Sequence, residues 1–387
     1  MNRLNSDINI VPARIKEARL SRGLSLTELA GRIRVTSQAI SQYELGISKP
    51  SATVLEEISK ELDFPIMFFT KPFVAVISCN SAINFRALKS ASKKLKDSWE
   101  YRIKWLDEIN QYLRKFINFP QLDFPEFNLD TGELDFDTIE EIALTLRKHW
   151  KIEKIPINNL VELLQEKGFI VARMEFGEYK IDAFSQWYNN FPYIISGSDK
   201  NSAVRSRFNL AHELGHLILH AHIDLEMMSK KEIFERVERE ANHFAGAFLL
   251  PRDSFPREIM SKSIEHFIIL KKRWMVSIQM MVKRCQDLNI YSETQARYLF
   301  AQIGQRGYRK SEPLDDSLDF ERPYLFKQAI ELLLENEVVS PEEIIDEIAF
   351  KKELIDSLCF LPDNLLNIRQ RKPQLTLITK DTDIKQA

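Results

Sequence analysis

His212-Glu213-Leu214-Gly215-His216 sets two imidazoles and a carboxylate at a spacing that can do chemistry. On a helix, positions i and i+4 share a face, so His212 and His216 can hold one metal ion through their ring nitrogens. Glu213 stands beside them, where a carboxylate can take a proton from water on the metal. The flanking residues, Asn209-Leu-Ala before and Leu-Ile-Leu after, are apolar enough for a buried helix. A core helix with two satisfied histidines is the competing explanation.

A catalytic zinc usually takes three protein ligands and keeps one position open for water. The third ligand is therefore expected downstream. Val237 to Pro251 reads as a second helix, with Ala241, Phe244, Ala245 and Phe248 on a small and apolar face. Glu238 and Asn242 lie four apart, on one face. Glu238 suits the metal, and Asn242 suits a hydrogen bond to a ligating histidine. Glu240 points roughly 160° away from Asn242 at the helical repeat and fits worse. His220 continues the i, i+4 series and is the alternative ligand; otherwise it supports a ligand or faces substrate. His222, His243 and His266 read as surface or packing residues. An oxyanion donor is also needed; Tyr179, Tyr193, Arg207 and His220 are candidates among which spacing does not choose. Two His and one Glu suit Zn2+, with Mn2+ as an alternative.

These residues need a scaffold. With 387 residues there is room for two or three domains. A net charge of −2 excludes a polycation, so any nucleic-acid contact must come from a local patch. Cys79, Cys285 and Cys359 are scattered without C-x-x-C spacing, which suits a reducing compartment. The first residues show no apolar run of signal-peptide length. The most apolar stretch, 64–77, is broken by Pro65, Lys71 and Pro72 and is too short to span a bilayer. The expectation is a cytoplasmic chain with no membrane partner. Glycine is scarce and helix formers abound, so the chain should be mainly α with a small β-sheet.

The first seventy residues read as short helices. Gly23 ends the first, Pro12 to Arg22. Ser25 to Ile33 is the second. Thr36 caps a third, Ser37 to Leu45, and Ser51 caps a fourth that carries Val54, Leu55, Ile58 and Leu62. Two short helices joined by a tight turn can lay the second in the DNA major groove. Its outer side carries Ser37, Gln38, Ser41 and Gln42; Gln can bond two edge atoms of adenine. A bundle that binds protein is the competing explanation. Phe64 to Phe69 should pack this segment against the region C-terminal to it. Lys93 to Phe116 is a long helix with Leu95, Trp99, Ile103, Leu106, Ile109 and Leu113 at helical spacing. A dimer seam along that stripe is one option. Strands are expected at 169–173, 181–187 and 193–196, among amphipathic helices. One exposed strand edge beside the metal could hold an extended peptide. Later helices are expected at 265–274, 277–288, 326–334 and 342–358.

The first segment resembles the helix-turn-helix of phage-repressor-type regulators, the Xre family, through Leu24-Ser-Leu-Thr-Glu-Leu-Ala30 and Val35-Thr-Ser-Gln-Ala-Ile-Ser-Gln-Tyr-Glu-Leu-Gly46. Leu26 replaces the family's usual phosphate-contacting Gln, and Arg34 replaces a usual Gly before the turn. The later blocks resemble the ImmA/IrrE metallopeptidase family: Ile181-Asp-Ala-Phe, Pro192-Tyr-Ile-Ile, Arg207-Phe-Asn-Leu-Ala-His-Glu-Leu-Gly-His, Glu238-Arg-Glu-Ala-Asn-His-Phe-Ala and Leu249-Leu-Pro251, then Leu270 to Gln279 and Gly307 to Pro313. The resemblance implies zinc on His212, His216 and Glu238, with Glu213 as general base. It also implies a gluzincin-like endopeptidase that cuts an Xre-type repressor and releases stress-response or mobile-element genes. Base contacts then fall to Ser37, Gln38 and Gln42 on an operator in double-stranded DNA. The layout it implies is a four- or five-helix DNA-binding domain over 1–70 and a helical connector over 71–130, with dimerisation as an option. A zincin-like domain comes next over 131–255, then an HTH-like extension over 256–315, and a helical C-terminal region with a frayed tail over 316–387. The rival classes are a regulator whose protease fold senses a metal or ligand, and an antitoxin-like binding protein.

Overall fold

The computed structural model describes residues 9–73, 93–129, 132–175, 182–198, 202–223 and 225–367. It is mainly helical with one three-stranded sheet, as expected. Four helices open the chain: α1 (Pro12–Ser21), α2 (Leu26–Arg32), α3 (Ser37–Glu44) and α4 (Ala52–Leu62). Their starts are set locally. Ser25 and Glu28 form a capping box, and the Thr36 and Ser51 hydroxyls accept from Ala39 N and Val54 N. Arg34 sits at φ +57°, so the turn survives without glycine, at a strain of about 1 kcal/mol.

A 3-10 turn, Ile66–Thr70, then presses Phe68 and Phe69 inward. Phe64 meets the Trp105 ring edge-on at 5.4 Å. Trp105 belongs to α5 (Lys93–Leu113). Trp99, Ile103, Leu106, Ile109 and Leu113 on this helix are all buried. The stripe considered as a dimer seam is thus spent inside the chain. A buried polar cluster fastens α1 to α5. Glu17 is fully buried and accepts from Lys104 Nζ at 3.0 Å, Trp105 Nε1 at 2.7 Å and Arg14 Nη1 at 3.0 Å.

After α6 (Phe136–His149) and α7 (Leu160–Glu166) come the strands β1 (Ile170–Met174), β2 (Ala183–Tyr188) and β3 (Phe191–Gly197). The spatial order is β1-β3-β2, with β1 parallel and β2 antiparallel to β3. Asn189 and Asn190, both at positive φ, close the β2–β3 hairpin. Because side chains alternate along a strand, the sheet divides two cores. Ile170, Ala172, Phe184, Tyr188, Tyr193 and Ile195 join the core of α1–α5. Val171 and Ile194 join the other core, built with α6, α8 (Ala203–Leu219) and α10 (Lys231–Leu249). A short α9 (Leu225–Ser229) links α8 to α10.

Three helices, α11 (Ile264–Trp274), α12 (Ile278–Asp287) and α13 (Glu293–Gln305), complete the second core. No helix was expected from sequence at α13, although Ser292 and Gln295 form a capping box at its start. The last helices, α14 (Leu325–Glu335), α15 (Pro341–Ile348) and α16 (Lys352–Cys359), return to the first core. The single helix expected over 342–358 is two. Ala349 takes φ +58° between them, which lets Phe350 turn in against Phe68 and Trp105. Cys285 and Cys359 are buried free thiols. Tyr179, Cys79 and the tail from 370 lie outside the described residues. No helix among the described residues is long and apolar enough to cross a membrane.

Candidate metal centre and recognition helix

α8 and α10 cross closely because Gly215 has no side chain. A Cβ there would meet Phe244 Cδ1 at 3.0 Å and Ala241 backbone atoms at 3.4 Å. The contact brings Glu238 to the two histidines. One ligand atom from each of His212, His216 and Glu238 falls within 4.8 Å of the others, and all three residues are buried. The Nε2 atoms of His212 and His216 lie 2.9 Å apart, and Glu238 Oε1 lies 3.4 Å from His216 Nε2. His212 Nδ1 meets Asn242 Oδ1 at 3.1 Å, which points Nε2 into the cluster.

The electrostatics fit a cation at this point. Burial, then the charge of His216, pushes His212 down to about 3, so its lone pair is available at neutral pH. Burial also opposes charge on His216, yet the hydrogen bond to Glu238 and the charges of Glu213, Glu238 and Glu240 raise it overall. The two imidazoles thus differ: His212 is held neutral, while His216 is favoured in its charged form by the carboxylates around it. The donor set of two nitrogens and one carboxylate fits Zn2+.

Glu213, next to His212 on α8, reaches the sheet, and its charge also acts on His216. Its Oε2 accepts from Ser185 Oγ of β2 at 2.7 Å. No motif in the sequence marks Ser185. The alternation of Ala183, Ser185 and Trp187 onto one face is the signal that could have found it. β2 is also the edge strand that runs along α8, since Trp187 Nε1 donates to Leu217 O.

Other candidates are placed elsewhere. Glu240 does not join the metal cluster; its Oε2 pairs with His220 Nε2 at 3.0 Å. His220 Nδ1 in turn meets His216 Nδ1 at 3.1 Å, so His220 lies behind His216 and outside the His212–His216–Glu238 cluster. Tyr193 projects through the opposite face of the sheet and donates to Asp107 at 2.7 Å. Arg207 is buried against the carbonyls of Ile157 and Asn158 and against Glu321. His243 stacks on Phe136 and bonds Glu140, and His266 bonds the Glu258 carbonyl. A cleft of about 760 Å³ opens one turn before the metal cluster, lined by Phe208, Asn209, Met280 and Phe300 among others.

On α3, Ser37 and Gln38 are exposed, whereas Ser41 and Gln42 are half-buried. Ile40 is the buried anchor of the helix, and Glu44 is held by Arg19 at 2.6 Å. Exposed Arg34 and Lys49 flank α3 in the chain.

Comparison with known proteins agrees with this geometry. Residues 164–286 match the IrrE N-terminal-like domain family, and residues 15–69 match a helix-turn-helix family. The chain joins an Xre-type helix-turn-helix domain to an IrrE-like domain. The first match spans β1 to α12 and contains every residue of the metal cluster. The second spans α1 to the 3-10 turn. No curated protein matches the chain. Among solved structures, Bacillus thuringiensis PlcR in complex with the peptide PapR7 and DNA is similar at 15% identity, over 78% of this chain and 97% of that one. Its TM-score of 0.15 is too low to inform the fold comparison.

Proposed function

We propose that this chain is a DNA-binding, zinc-dependent endopeptidase that cleaves an Xre-type repressor. The observation that carries the reading is the placement of Glu213 between two metal-binding histidine positions, with its carboxylate held by Ser185. When bound, the metal supplies Lewis acidity for a scissile carbonyl and makes water a better nucleophile near neutral pH. His212, His216 and Glu238 hold it. Glu213 takes the proton of the attacking water and delivers it to the leaving amine. Among the described residues β2 is an edge strand packed along α8, and an extended peptide adding there as a strand is the substrate-binding mode of this reading. Two His and a Glu also accept Mn2+.

The N-terminal domain brings this activity to an operator. Ser37 and Gln38 are the leading base contacts, with Ser41 and Gln42 deeper on the same helix. The test is co-expression with each Xre-type protein encoded beside this chain, wild type against Glu213→Gln, followed by mass spectrometry of the partner. A discrete cut made only by the wild type is the expected result. Intact partner in both, with zinc bound, would move the assignment to the rival reading.

That rival is a regulator whose protease fold senses a metal or ligand. The enclosure of the site favours it: His212, His216 and Glu238 are only 7–8% exposed and Glu213 1%. A peptide needs an opening to reach them.

A further inference from the structure

Behind the metal cluster runs a second chain of buried polar groups. His216 Nδ1 lies 3.1 Å from His220 Nδ1, His220 Nε2 lies 3.0 Å from Glu240 Oε2, and Glu240 Oε1 accepts from Leu134 N at 3.1 Å. The donors and acceptors of this chain are set by one condition. If His216 Nε2 faces a metal, its proton sits on Nδ1 and must be donated to His220 Nδ1. His220 Nδ1 is then an acceptor, so its proton sits on Nε2 and is donated to Glu240. The two Glu240 oxygens accept one bond each, from His220 and from the backbone just before α6. Arg236 Nε, 3.6 Å from Oε1, adds a positive charge beside that carboxylate. His220 is 4% exposed and Glu240 1%, so neither side chain can exchange its partner for bulk water.

We infer that Glu240, acting through His220, is a positioning residue that locks the His216 ring in its metal-binding orientation and tautomer and so sets the affinity of the centre. The inference rests on the metal-centre reading above and extends it to a residue outside the ligand set. It also explains why the carboxylate of Glu240 is buried although it touches no ligand directly. His212 and His216 are thereby held by different devices: His212 by one amide on α10, His216 by a series that ends on the backbone of the segment leading into α6.

The test is zinc affinity of the purified full chain, measured by competition with a chromophoric chelator. It is run for wild type, His220→Ala, Glu240→Gln and the double variant. Loss of such outer partners weakens metal binding by roughly 10–100-fold. Gln at 240 keeps one acceptor oxygen where two are required, so Glu240→Gln should weaken zinc about tenfold with the protein still folded. Because the groups act in series, the double variant should be no weaker than His220→Ala alone. A spectroscopic readout accompanies this: the visible absorption of the cobalt-loaded protein should change in both single variants. Thermal melts of the metal-free proteins report folding, and Glu240→Gln carries the test if His220→Ala does not fold. Wild-type zinc affinity in a folded Glu240→Gln, with an unchanged cobalt spectrum, overturns the inference alone. A wild-type chain that binds neither zinc nor cobalt overturns the metal-centre reading and this inference with it.

Discussion

Ser185 Oγ donates to Glu213 Oε2 at 2.7 Å, from the edge strand to the helix that carries His212 and His216 of the candidate metal centre. The next residue back, Phe184, points through the sheet and packs edge-on against Trp99 of α5 at 5.8 Å. One strand therefore touches the candidate base on one face and the helix clamped to the DNA-binding domain on the other. The contact to Glu213 is testable by removing only the hydroxyl. Ser185→Ala should lower kcat/KM toward a cleaved partner by roughly ten- to a hundredfold, the equivalent of the about 1.5–3 kcal/mol of a hydrogen bond to a charged group. Zinc affinity should stay at the wild-type value. A matched loss of zinc would show that Ser185 supports the fold of the centre instead.

Gly215 sets how closely α8 and α10 approach. A valine there must push Phe244 and the Ala241 backbone away from their present positions. Overpacking of this kind costs roughly 1–3 kcal/mol. It also separates Glu238 from His216. Gly215→Val should lower the melting temperature and abolish tight zinc binding together, measured by calorimetry with and without zinc. Retained zinc affinity would mean the helices can part without moving the ligands.

Glu140 on α6 is a buried counter-ion within the second core. It accepts from Arg284 on α12 and from His243 on α10. Burial alone would raise its carboxyl, but the bonds and charges of Arg284 and His243 overcome that and hold it at about 2, below its ordinary 4.5. For an acid whose folded pKa is depressed, the stabilisation is complete above the unfolded value and is lost as pH falls through the folded one. The melting temperature of the wild type should therefore drop between pH 4.5 and about 2. Glu140→Gln should lose stability already at pH 7, by about 3–5 kcal/mol, because Arg284 is left buried without its partner charge. Its melting curve should then be flatter than wild type across the acid range, and parallel curves would sink the argument.

Glu17 joins the DNA-binding domain to α5. Replacing it with alanine leaves Lys104 and Arg14 buried around a missing charge, although Arg14 keeps Glu108 at 2.9 Å. The cost should again be about 3–5 kcal/mol, and it should fall on the first core. Hydrogen exchange ought to accelerate in α1–α5 well before it does in α8 and α10. Uniform acceleration across the chain would show that the two cores unfold as one unit.

Local sequence determined much of this protein. Helical period placed His212, His216 and Glu213 on α8 and set Glu238 and Asn242 on one face of α10. Capping residues such as Thr36 and Ser51 marked the helix starts, since a cap is satisfied within three residues of itself. Residues far apart in the chain were decided only by the tertiary structure. Nothing in the periodicity of 181–187 says that Ser185 meets Glu213, because strand alternation gives two faces without naming their neighbours. The same ambiguity made Tyr193 look available to the site, whereas its place in β3 turns it to Asp107; Arg207, on α8, is taken up by Ile157, Asn158 and Glu321. Glu240 fitted poorly as a ligand, and its pairing with His220 emerges only once α8 and α10 are packed. The break at Ala349 is also tertiary: the sequence there continues an amphipathic pattern, and the demand for Phe350 in the first core stops the helix.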